Sequence, residues 1–111
     1  MKLHIDDIGG EVVKEDERYQ VKDNAVLGQL NISSTSLNPG MATTGHSHKD
    51  QAEYYFFIKG KGAIEVGGEM HRVEPGDIIP IPDGDWHRVY NSEVDESLYF
   101  VCVFNGVRAH G

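Results

Sequence analysis

The sequence predicts an all-β fold, a sandwich or barrel of eight or nine short strands, on three observations. Gly or Pro interrupts nearly every window long enough to show the i, i+3, i+4, i+7 spacing of an amphipathic helix. Short runs of β-branched and aromatic residues recur at roughly 8–12-residue intervals. Turn-forming clusters separate those runs. In order, Val26, Leu30 and Ile32 share one parity and lead into Asn38-Pro39-Gly40. Tyr54-Tyr55-Phe56-Phe57-Ile58 is apolar or aromatic throughout, as a strand buried on both faces would be, and Gly60-Lys61-Gly62 closes it. Residues 63–66 and 69–73 flank Gly67-Gly68, a two-residue hairpin signal. Pro75-Gly76-Asp77 introduces 78–81, Pro82-Asp83-Gly84 introduces 86–91, and 98–104 ends the series. Within the aromatic strand, Tyr55 and Phe57 share parity with Glu53 and are expected inside, with Tyr54, Phe56 and Ile58 packed on the other side.

The 111 residues fit one domain spanning 1–111, with a single core. Ten Lys and Arg against 18 Asp and Glu give a net charge of −8, which argues against nucleic acid and membrane surfaces as partners. The charge run Lys14-Glu15-Asp16-Glu17-Arg18 reads as a solvated face or loop. No stretch approaches the roughly 18–20 apolar residues of a membrane helix, and Asp6-Asp7 falls where a signal peptide would be apolar, so a cytoplasmic protein is expected. Cys102, the one cysteine, sits in an apolar run and is expected as a buried thiol.

Four residues carry chemistry. His46-Ser47-His48 sets two imidazoles at i and i+2, which in an extended strand project from one face roughly 6–7 Å apart. Glu53 follows after four residues and opens the aromatic strand, so a hairpin return would bring its carboxylate beside the rings. His87 comes from a separate strand behind the stiff turn Pro82-Asp83-Gly84. Tyr55, beside Glu53 in parity, is a candidate proton donor or pocket-shaping aromatic. Asn91 shares the His87 face and is expected to brace a turn, whereas Arg88 alternates away. His4, His71 and His110 are expected in ordinary exposed or structural roles.

The spacing resembles the cupin superfamily. Its first motif is matched by Gly40, five residues, His46-Ser47-His48, four residues, Glu53, six residues and Gly60. Its second is matched by Gly76, five residues, Pro82-Asp83-Gly84, two residues, His87, three residues and Asn91, with 15 residues between the motifs. The resemblance implies a single-domain jelly-roll β-barrel, with motif 1 at 40–60 and motif 2 at 76–91. It also implies one divalent transition metal held by His46, His48, Glu53 and His87, and pairing into a homodimer, to which residues 3–13 would contribute. A set of three imidazoles and one carboxylate suits Mn, Fe, Co, Ni or Zn over Mg or Ca.

Three functions fit such a site. The first is an oxygenase or decarboxylase working on a small organic substrate, which an aromatic interior would accept if apolar or phenolic. The second is a sugar or sugar-phosphate isomerase or epimerase, since Gly45-His46, Ala52-Glu53, Lys59-Gly60-Lys61-Gly62, Glu74-Pro75-Gly76 and His87-Arg88 resemble stretches of the cupin-type glucose-6-phosphate isomerases. The third is a non-catalytic ligand-binding or metal-sensing protein. Glu53 is the candidate general base in the catalytic readings.

Overall fold

The computed structural model describes residues 1–106, so the expectation for His110 lies outside the described residues. Nine strands form: β1 (Glu11–Glu15), β2 (Tyr19–Asn24), β3 (Leu30–Leu37), β4 (Glu53–Lys59), β5 (Gly62–Val66), β6 (Glu69–Val73), β7 (Ile78–Ile81), β8 (His87–Tyr90) and β9 (Leu98–Asn105). They make a six-stranded sheet in the order β1-β2-β3-β9-β4-β7 and a three-stranded sheet in the order β6-β5-β8. Every pairing is antiparallel. β9 lies between β3 and β4, and β8 lies against β5, so the chain winds as a jelly roll with the core between the sheets. Among the described residues no helix is long and apolar enough to cross a membrane.

Local chemistry explains the turns. Gly67 and Gly68 both adopt positive φ, 55° and 88°, which a two-residue hairpin of the favoured twist requires at its two central positions. Gly60 has φ 83°, and a Cβ there would run into the carbonyl of Ser97. This glycine therefore marks a close passage of two backbones as well as a reversal.

The core draws on both sheets, with Leu37, Phe57, Leu98 and Phe100 from the larger and Ile64, Val73 and Val89 from the smaller. Phe57 and Phe100 pack with ring centroids 5.3 Å apart. Cys102 is buried, as expected.

Two expectations are corrected. β4 is buried on one face only: Tyr55 and Phe57 are inside, but Tyr54 is exposed and Phe56 and Ile58 are half-buried. In β3 the apolar parity is the outer one. Val26 falls in a turn, Leu30 is exposed and Ile32 is half-buried, while Ser33, Thr35 and Leu37 are buried on the inward parity. Polar residues face in there because they line a cavity, described below. The charge run is the end of β1 and the turn into β2, exposed or half-buried throughout, and in it Asp16 and Arg18 form an ion pair of 2.8 Å.

The outer face of the large sheet is partly covered by the N-terminal segment. Tyr99 donates its hydroxyl hydrogen to Ile5 O at 2.9 Å, Asn24 Nδ2 donates to Ile8 O at 2.8 Å, and Ile8 is fully buried.

Candidate functional site

Residues 41–46 are zipped antiparallel to β8. Asn91 N donates to Met41 O at 2.8 Å and Thr43 N to Val89 O at 2.9 Å; His46 and His87 exchange N–H···O bonds of 3.1 and 2.9 Å. This irregular edge positions His46, and the extended strand expected through His46-Ser47-His48 does not form. The chain bends away after His46, which lets the His46 and His48 rings meet edge to face with centroids 4.4 Å apart. The next loop is pinned to the turn before His87. Gly84 N donates to His48 O at 2.8 Å, and Asp83 Oδ1 accepts from Asp50 N at 2.6 Å and Gln51 N at 3.3 Å. Pro82-Asp83-Gly84 thus ties the segment carrying His48 to the strand carrying His87.

The His46 and His87 rings are 4.5 Å apart, and those of His48 and His87 5.6 Å. One nitrogen from each of the three lies within 4.8 Å of the other two. Glu53, the first residue of β4, brings Oε1 to 3.3 Å from His48 Nε2, with both side chains buried. Two donors on one ion with bonds of about 2.1 Å stand about 3.0 Å apart at a right angle and about 3.4 Å apart at the tetrahedral angle, so this spacing suits shared ligation.

His87 supplies the sharpest test of fit. It is 1% exposed, and its Nδ1 lies 3.1 Å from Asp85 O, which makes Nδ1 the protonated nitrogen. Its Nε2 is buried with no hydrogen-bond partner among the described residues. A buried lone pair left that way costs about 1–3 kcal/mol, and a cation among the three rings would satisfy it. Thr44 O fixes His46 in the same manner, 3.0 Å from Nδ1. Burial also pushes the His87 pKa down, which favours the neutral form that coordinates metals.

Beside the cluster is a cavity of about 210 Å³ whose lining includes His46, Glu53 and Tyr55. Hydroxyl residues line it from two elements, Ser33 and Thr35 from β3 and Thr43 and Thr44 from the segment zipped to β8. On the large sheet Thr35 is the cross-strand partner of Phe100, and Tyr55 stacks on Phe100 at 5.4 Å and meets the His87 ring edge-on at 5.7 Å. Asn91 is structural, its Nδ2 donating to the carbonyls of Leu37, Asn38 and Glu96. Arg88 donates Nε to Thr43 O at 2.7 Å, bracing the zipped edge. His4 and His71 are exposed.

Residues 34–104 match the family described as the cupin domain. The chain belongs to the cupin family. This cupin is 32% identical over 117 residues to a glucose-6-phosphate isomerase of Thermococcus onnurineus, covering 90% of this chain and 61% of the relative. It is 32% identical over 85 residues to a 1-methylthio-D-xylulose 5-phosphate methylsulfurylase of Rhodospirillum rubrum, covering 77% of this chain and 52% of that one. The chain therefore spans less than two thirds of the length of these relatives. Among solved structures, a predicted oxalate decarboxylase from Thermotoga maritima superposes with a TM-score of 0.75 at 20% identity, over 96% of this chain and 100% of that one. At that identity the likeness shows the shared jelly roll.

The hydroxyl lining of the cavity is not legible in the strand pattern. Ser33 and Thr35 stand at the positions where a strand pattern leads one to expect core residues, and hydrophobic parity pointed to the opposite face. The available signal was Thr43-Thr44, next to Gly45-His46 in the first motif.

Gly45 is required by space. A Cβ there would collide with the ring of Trp86, which packs directly over it. Gly45→Ala is expected to displace Trp86, to cost about 1–3 kcal/mol and to shift the emission of this single tryptophan. Denaturant unfolding followed by fluorescence checks both, and unchanged stability and emission would contradict the packing described.

Proposed function

We propose that this cupin is a metal-dependent isomerase acting on a small polyhydroxylated, sugar-type substrate, with His46, His48, Glu53 and His87 as ligands of one divalent transition ion. The observation that carries the reading is the cavity lining. Four hydroxyl-bearing residues line it together with the aromatic pair Tyr55 and Phe100, a mixed surface suited to both the hydroxyl groups and the C–H faces of a sugar. The two relatives named above, at 32% identity, both take sugar phosphates by name, which supports the same class.

The donor set suits Mn, Fe, Co, Ni or Zn. An ion held there would polarise a substrate carbonyl and acidify the neighbouring C–H bond. Glu53, buried within the cavity, accepts the proton from the carbon beside the carbonyl and returns it to the former carbonyl carbon. Tyr55 moves the hydroxyl proton between the two oxygens. An aldose becomes a ketose without net oxidation, so no redox partner is consumed. The rest of the cavity excludes bulk water and orients the chain of hydroxyls.

Incubation of the metal-loaded protein with D-glucose 6-phosphate and other aldoses in D2O tests this. Ketose formation with deuterium entering at C1 of the ketose, and at C2 of the aldose by the reverse reaction, is the expected result. Oxygen consumption or CO2 release from a small organic acid, with no exchange at C2 of any aldose, would overturn it in favour of oxygenase or decarboxylase chemistry. Tight retention of a copurifying ligand without turnover would make the protein a binding module.

We also propose a homodimer that uses the N-terminal segment and edge strand β1, where Leu3, Ile5 and Val12 are exposed. Sedimentation at micromolar protein is expected to give twice the chain mass. Deletion of residues 1–10 is expected to give the monomer, and a monomeric mass for the full chain would contradict the pairing.

A further inference from the structure

We infer that Lys14 selects for a negatively charged group on the substrate; this rests on the sugar-type reading above and narrows it to anionic members of that class. The first observation is a bulge. β1 and β2 pair as Val12 with Lys22 and then as Lys14 with Val21, which leaves Val13 as an extra residue on β1. In a regular strand Val13 and Lys14 would point to opposite faces, yet both line the cavity. Bulges re-aim side chains in this way beside functional sites.

The second observation is charge. Of the described residues lining the cavity, Lys14 is the one with a fixed positive charge. The chain as a whole carries −8, so the general field of the protein repels anions and a local cation is needed to admit one.

The third is that the Lys14 charge is not spent within the protein. Arg18, the neighbouring cation, is engaged by Asp16 at 2.8 Å and donates Nη1 to Thr44 Oγ1 at 2.9 Å. No described carboxylate lies within ion-pair distance of Lys14. Its Nζ is instead 5.4 Å from the centroid of the Tyr19 ring, and Tyr19 also lines the cavity. An ammonium held over an aromatic face keeps its donors directed at the open side, where it can pair with a carboxylate or a phosphate. The hydroxyls of Thr43 and Thr44 flank the same cavity and can share the anion.

Three hexoses that differ only at C6 test the assignment: D-glucose 6-phosphate, D-glucuronate and D-glucose. Binding to the metal-loaded protein is read by calorimetry and by the emission of Trp86, which packs on Gly45 beside His46. Wild type is expected to prefer one or both anions over glucose by about 10-fold to 100-fold. A preference for both assigns a general anion site, and a preference for one names its chemistry. Lys14→Met is expected to erase the preference, and Lys14→Arg to retain most of it. Equal binding of all three by wild type, binding of none, or an undiminished preference in Lys14→Met would overturn the inference. Ketose formation, assayed on the same preparations, keeps the two readings separate. Lys14-dependent anion binding without isomerisation sinks only the reaction, and isomerisation without Lys14-dependent preference sinks only the anion site.

Discussion

Replacing His87 with Ala is expected to lower bound metal below about a tenth of the wild-type level, with activity falling in proportion to occupancy. His87 is the most telling of the three because its ring is buried, its Nδ1 is committed to Asp85 O, and its Nε2 has no hydrogen-bond partner among the described residues although the ring sits beside the other two imidazoles. Removing it takes away a donor that no neighbouring side chain replaces in kind. The thermodynamic signature is as telling as the loss of activity. An ion bound at 100 to 1,000 times its dissociation constant stabilises a folded chain by about 2.7–4.1 kcal/mol. Chelation is therefore expected to lower the melting temperature of the wild type and to leave that of His87→Ala almost unchanged. Equal sensitivity of the two proteins to chelator would mean that the metal binds elsewhere. His46→Ala and His48→Ala are expected to behave as His87→Ala does.

Glu53→Gln is expected to separate metal retention from chemistry. The amide keeps the shape and one weak oxygen donor but lacks the basicity of the carboxylate. The variant should hold most of its metal through the three imidazoles yet lose on the order of 100-fold or more in turnover. The structure gives a reason to single out this ligand. Glu53 stands 3.3 Å from His48 Nε2 at the start of β4 and also lines the cavity, so one carboxylate faces both the donor cluster and the substrate space. Metal content and turnover measured on the same sample decide the matter. Full turnover with full metal would make Glu53 a structural ligand and move the search for a base to Tyr55. Loss of both together would make it chiefly a metal anchor.

Much of this architecture is legible in the chain, because its determinants are local. The Gly67-Gly68 hairpin, the reversals at Gly60 and Gly76, and the parity that turns Tyr55 and Phe57 inward all follow from backbone preference and side-chain alternation. The convergence of His46, His48 and His87 is legible through spacing within a recurrent motif. What escaped reading depends on partners distant in sequence. His46 takes its position from backbone bonds to His87, 41 residues away, and not from a strand of its own. The inward face of β3 is hydroxylic because it borders a cavity, so the rule that apolar parity marks the interior fails at Ser33 and Thr35. Lys14 looked like part of a solvated charge run. Only the register shift between Val12 and Lys14 shows that it turns toward the barrel interior, and a bulge leaves no signature in composition.

The central claim, that three imidazoles and one carboxylate hold a single divalent ion in this barrel, is tested most directly by elemental analysis of protein purified without added metal. The wild type and the three His→Ala variants would be measured side by side. The account predicts about one first-row transition ion per wild-type chain and less than about a tenth of that in each variant. The same substoichiometric metal content in all four proteins, or one ion per chain retained in any of the three variants, would contradict it.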